Sequence, residues 1–109
     1  MNLTIDVTNK EHKTVVTLSG EIDAFTAPKL KEELLPLTKD EGTTVEVDLK
    51  NVNYMDSTGL GVFISALKST KEHNSELKLV HMQERVHRLF KITGLTEIMN
   101  IDSTVQGGI

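Results

Sequence analysis

Residues 44–68, TVEVDLKNVNYMDSTGLGVFISALK, constrain this chain more than any other stretch. Val45, Val47 and Leu49 alternate with polar residues, the two-residue period of a half-buried strand. From Ser57 onward, Leu60, Phe63, Ile64 and Leu67 instead recur at helical spacing, and Leu77, Leu79 and Val80 give a further strand. Strand, helix and strand in direct succession call for parallel strands joined by a crossover helix, because parallel strands cannot be linked by a tight turn. The fold class is therefore α/β.

The flanking segments extend the same pattern. Leu3, Ile5 and Val7 alternate with polar residues, and Val15-Val16-Thr17-Leu18 forms a second strand after a polar turn over residues 9–13, so the two make a hairpin that residues 19–23 then leave. Thr26 is placed to cap a helix carrying Leu30, Leu34 and Leu37. Pro28 fits its first turn, and Pro36, which lacks an N–H, ends or kinks it. Met82, Val86, Leu89 and Phe90 mark a later helix with Gly94 as its C′ stop, and residues 95–99 form a short further helical segment. The order ββαβαβα predicts a mixed sheet of four to five strands packed by about four helices, with right-handed crossovers between the parallel strands. No repeat or linker divides the chain, so residues 1–109 read as one domain, with an ordered core over 2–101 and a loose tail over 102–109.

Charge and composition exclude several classes of function. With a net charge of −4 and scattered basic residues, the chain lacks a nucleic-acid footprint. No apolar stretch approaches the ~20 residues of a membrane span, and MNLTIDVTNK has none of the marks of a signal peptide. There are no cysteines, which excludes disulfides and thiolate metal sites and fits a cytoplasmic protein. His81 and His87 lie six residues apart rather than at the i, i+4 spacing of a helical metal pair, so no metal site and no cofactor are expected. They read as surface or boundary residues, and Lys29, Lys31, Glu32 and Glu33 as a solvated helix face. Phe25 reads as a core residue rather than an exposed contact beside Asp23.

The junction Asp56-Ser57-Thr58-Gly59-Leu60-Gly61 is the one place where chemistry concentrates. Helix-initial N–H groups have no internal partners and attract anions. On spacing alone, Asp56 or Ser57 serves as an N-cap and the glycines let the helix lie close to a neighbour; the other reading is that Ser57 is placed to be reached. Enzymes of known pattern do not fit. The motif is neither G-x-S-x-G nor a phosphate-binding P-loop, and no histidine is spaced to act as base for a Ser57 nucleophile, so a small hydrolase is disfavoured and no enzyme is expected.

Three blocks together resemble a known family: GEIDAFTAP at 20–28, DLKNVNYMDSTGLGVF at 48–63 and RLFKITGL at 88–95. The chain is similar, from its first strand to about Met99, to the bacterial anti-sigma factor antagonists built on the STAS domain, and most similar to those that control the general stress sigma factor. The resemblance implies a single STAS-type domain acting by partner switching. The unmodified protein would bind an anti-sigma factor that is itself a serine kinase, releasing the sigma factor, and phosphorylation of Ser57 would inactivate it. A PP2C-type serine phosphatase would act on the phosphorylated form. Carried over residue by residue, Ser57 is the phosphosite, with Asp56, Thr58, Gly59 and Gly61 as its frame. Asp23 matches the acidic loop residue beside it, and Phe25 and Thr26 belong to the same partner-binding loop. A STAS-type subunit of another signalling scaffold or of a lipid-transport complex is the rival reading. One departure is residues 73–76, His-Asn-Ser-Glu, where many relatives have a glycine-containing turn; Asn74 tolerates the left-handed conformation such a turn needs.

Overall fold

The computed structural model describes residues 2–102 as a five-stranded sheet in the order β1-β2-β3-β4-β5, with helices on one face. β1 (Leu3–Lys10) and β2 (Lys13–Ile22) form the expected antiparallel hairpin, but its loop is only Glu11-His12, tighter than the polar turn the sequence suggests. β2, β3 (Thr44–Met55), β4 (Glu76–Val80) and β5 (Asn100–Ile101) then run parallel, each crossover advancing by one strand. The helices α1 (Ala27–Leu34), α2 (Ser57–His73) and α3 (Glu84–Ile92) fill those crossovers. Crossovers of one hand that always step the same way place their helices on the same face. All three helices accordingly contribute to one core, which includes Leu30, Phe63 and Phe90 above Val16, Val47 and Leu79 of the sheet. The Phe63 and Phe90 rings meet at 6.0 Å between centroids, tying α2 to α3. The opposite face of the sheet carries polar residues such as Thr17, Asp48 and Lys78, and Lys13 pairs there with Glu46 at 3.1 Å. No helix among the described residues is long and apolar enough to cross a membrane.

The structure departs from the sequence reading at several elements. β2 and β3 both run further than the strict alternation suggests, to Ile22 and Met55. Two register irregularities, between Thr17 and Ser19 and between Gly20 and Glu21, let the strands stay paired while the two-residue period breaks. Val52 and Met55 are buried three positions apart as a result. α1 ends at Leu34, and Leu37 lies instead in a 3₁₀ turn over Leu35–Lys39 that contains Pro36. The further helical segment expected at 95–99 is a single 3₁₀ turn, Leu95–Glu97. The chain then adds β5 as an edge strand and fastens Asp102 by its N–H to Leu79 O at 2.9 Å, so the loose tail does not begin there. The remainder of that expected tail, 103–109, lies outside the described residues. Gly94 stops α3 as anticipated, at C′ with φ 80°. Asn74, at φ 55° and ψ 42°, ends α2 in the left-handed conformation without a glycine.

Candidate functional site

The parallel partners Ile22 and Met55 are the last paired residues of β2 and β3, so Asp23 and Asp56 leave the sheet side by side at its carboxyl edge. Asp56 N–H donates to Ile22 O at 3.2 Å and fixes the two exits together. This edge is where a strand-to-helix connection leaves backbone groups free to meet a ligand or partner.

At the α2 start, Asp56 is the N-cap. Its backbone is extended, and its carboxylate accepts from Thr58 N–H at 3.0 Å and Gly59 N–H at 3.2 Å. The cap thereby satisfies two of the helix's orphan donors, a contribution of about 1 kcal/mol. Ser57 occupies the first helical position with its side chain exposed, and its hydroxyl has no hydrogen-bond partner among the described residues. Of the two capping candidates, Asp56 therefore does the work and Ser57 is left free. Thr58 is exposed beside it.

The two glycines separate into different roles. A Cβ on Gly59 would stand 2.7 Å from Ile22 Cγ2 and 2.8 Å from Met55 Cγ, so this glycine lets α2 seat on the ends of β2 and β3. A Cβ on Gly61 would meet nothing within 4 Å, and the residue is exposed.

The neighbouring loop is built around Asp23. Its carboxylate accepts from Phe25 N–H at 2.9 Å and Thr26 N–H at 3.1 Å. Asp23 N–H donates in turn to Thr26 Oγ1 at 2.9 Å, and that hydroxyl donates to Glu21 O at 2.8 Å. Asp23 is only 7% exposed, so its carboxylate organises the loop from within rather than presenting charge at the surface. Thr26 stands at the N-cap position of α1, but its hydroxyl makes no bond to the helix N–H groups and serves the loop instead, which corrects the capping role read from the sequence. Phe25 also corrects the sequence reading: it is 82% exposed, because a turn held at both ends by hydrogen bonds directs its side chain away from the core.

Between α1 and α2 lies a groove with a cavity volume of about 440 Å³, lined by Ala27, Pro28 and Lys31 on one side and Thr58, Gly61, Val62 and Ser65 on the other. Sequence reasoning named Thr58 and Gly61 but missed the α1 wall and Ser65, since only packing brings the two helices together. The histidines sit elsewhere: His81 Nδ1 lies 3.2 Å from Asp48 Oδ1 at the end of β4 without hydrogen-bond alignment, and His73 Nδ1 is 2.8 Å from Ser69 O. No cluster of three or more His, Asp or Glu side chains among the described residues is arranged to hold a metal ion.

Comparison with known proteins gives a consistent result. The model of the STAS domain matches residues 4–108. An anti-sigma-B factor antagonist of Bacillus subtilis is 45% identical over 109 residues, covering 100% of this chain and 99% of the relative. One of Listeria monocytogenes is 46% identical over 102 residues, covering 93% and 90%. Among solved structures, the crystal structure of an anti-sigma factor antagonist from Mycobacterium paratuberculosis superimposes with a TM-score of 0.84 at 25% identity, over 94% of this chain and 87% of that one.

Proposed function

The chain belongs to the STAS-domain family and is an anti-sigma-B factor antagonist by homology, and from that premise we propose that it is a regulatory binding module switched by phosphorylation of Ser57. The unmodified form binds an anti-sigma factor that is a serine kinase, through the start of α2 and the loop 23–26, and so frees the sigma factor. The kinase ends this interaction by phosphorylating Ser57, and a PP2C-type phosphatase restores it. The cytoplasm, where a sigma factor acts, is the corresponding location.

The observation that carries this reading is the free, exposed hydroxyl of Ser57 on a rigid frame, together with an exposed aromatic side chain on the preformed loop that leaves the neighbouring strand. Exposed aromatics on ordered backbone are favoured interface anchors, because little entropy remains to be lost on binding. The energetics also separate the two consequences of phosphorylation. A phosphate adds about −1.5 to −2 charge. A helix N-terminus welcomes such charge by roughly 0.3–1 kcal/mol, but here the Thr58 and Gly59 N–H groups are already held by the Asp56 carboxylate. The monomer therefore gains little. At an interface the same charge must be desolvated close to Asp56, and like-charge juxtaposition there costs several kcal/mol. Since each 1.4 kcal/mol is tenfold in affinity, a loss of about 100-fold or more follows. The fold survives and the partner is lost. Intact-mass measurement after incubation with the candidate kinase and ATP, followed by site mapping, tests the proposal: one added phosphate on Ser57 supports it, and no phosphate or one mapped elsewhere refutes it.

A further inference from the structure

The exposed side of α2 continues well past Ser57, and its composition describes the surface that must meet it. Ser57, Gly61, Ile64, Lys68 and Lys71 are all exposed and follow one another at i, i+4, i+7, i+11 and i+14. At 3.6 residues per turn these positions fall within about 80° of arc, so they form one straight stripe. A rise of 1.5 Å per residue places Lys68 about 16 Å and Lys71 about 21 Å from Ser57. Ile64 is 36% exposed in the middle of this stripe, one turn beyond the open position of Gly61.

The charges are unevenly distributed. Although the chain carries a net charge of −4, the groove wall contributes Lys31, and the stripe contributes Lys68 and Lys71. None of these three lysines takes part in an ion pair among the described residues; the pairs present are Lys13 with Glu46, His81 with Asp48 and Arg88 with Glu84. Glu72 flanks the stripe and forms no ion pair with Lys68, although it stands one turn away on the same helix. Three unpaired cations around an apolar contact, on an acidic protein, match a partner surface of opposite sign.

We infer that α2 is a docking track for an acidic surface of the kinase, with an apolar group seated over Gly61 and Ile64 and carboxylates facing Lys68, Lys71 and Lys31. This rests on the reading of the chain as the ligand of a serine-kinase anti-sigma factor and specifies the chemistry of that contact. Lys68 and Lys71 lie about two to two and a half Debye lengths from Ser57 at physiological ionic strength, so they recruit the partner without screening a phosphate there.

The test uses the full chain and the serine-kinase anti-sigma factor from the same genome, with association and dissociation followed by biolayer interferometry at about 50 mM and 500 mM salt. Lys68→Glu/Lys71→Glu is expected to lose about tenfold or more in affinity at low salt, mainly through slower association, with the deficit shrinking to about threefold or less at high salt. Ile64→Ala is expected to dissociate faster at both salt concentrations. Circular dichroism confirms that both variants fold, which these exposed positions favour. If the charge-reversed variant binds within about twofold of the parent protein at low salt, binds more tightly, or shows a deficit that salt does not reduce, the acidic-partner inference is overturned. Unchanged dissociation of Ile64→Ala removes the apolar contact from the track. If the unsubstituted protein binds no such kinase, the underlying reading fails, and this inference with it.

Discussion

Gly59 and Gly61 stand two residues apart on the same helix, yet alanine at each should act in opposite directions. An added Cβ at position 59 would come within 2.7 Å of Ile22 Cγ2, 2.8 Å of Met55 Cγ and 3.3 Å of Ile22 O. Neither carbon is the loose end of a long side chain: Cγ2 is anchored on a branched Cβ in β2, and Met55 Cγ is mid-chain at the end of β3. Relief therefore requires α2 to lift from the strand ends or the side chains to leave their rotamers, at a cost of about 1–3 kcal/mol. Higher helix propensity returns at most ~1 kcal/mol, and less in the first turn. Gly59→Ala should thus lose about 1–2 kcal/mol, and its melting temperature should fall by roughly 4–16 °C at 4–8 °C per kcal/mol. Gly61→Ala meets no atom within 4 Å and gains the propensity term, so it should melt a few degrees higher than the parent. Because its new methyl group stands on the exposed stripe beside Ser57, it should nevertheless bind the anti-sigma factor more weakly. Thermal melts followed by circular dichroism, with isothermal titration of both variants, decide the matter. A Gly59→Ala protein as stable as the parent would refute the packing argument, and a stabilised Gly61→Ala protein with undiminished affinity would show that a side chain at 61 does not crowd the partner.

The other expectations concern the two carboxylate-framed positions. Ser57→Ala should abolish phosphate incorporation, read by intact mass, while leaving folding and binding largely intact, since the hydroxyl it removes has no hydrogen-bond partner among the described residues; undiminished labelling would move the site to Thr58. Ser57→Asp carries about one negative charge instead of nearly two, so titration should rank affinities Ala, then Asp, then phosphoserine, and an Asp variant binding as tightly as Ala would contradict a charge mechanism. Asp23→Ala strips the Phe25 and Thr26 N–H groups of their acceptor. It should cost about 1–3 kcal/mol, visible as an earlier melt, and should weaken binding through the loosened Phe25. An unchanged melting temperature would show that the loop does not depend on this carboxylate.

The local alternations were sufficient to specify most of the architecture. Val45, Val47 and Leu49 in one strand, and Leu77 and Leu79 in the next, are buried as their period demands. Pro36, Asn74 and Gly94 act where their own backbone preferences place them. The helix start at 56–61 was legible for the same reason: a cap, a hydroxyl and a glycine express themselves within one turn of chain.

The local pattern does not encode a residue's role where that role depends on what lies across the fold. The periodic apolar signal of α2 runs through Ile64 because large apolar residues carry it. The buried sector in fact includes Gly59, Ala66, Ser69 and Thr70, whose small or polar side chains carry little of it, and Ile64 turns outward. By itself, then, the sequence determined β1 to β4, the three α-helices, where α2 begins and which hydroxyl heads it, because those follow from interactions within a few residues, whereas the edge strand β5 was not legible there. Only the tertiary structure decided that Gly59 is a packing position and Gly61 an open one, that Asp23 is buried while Phe25 is exposed, and that α1 closes a groove beside Thr58. Each of those outcomes is set by atoms on β2, β3 or α1 that are distant in the chain, and no local preference encodes the distance between them.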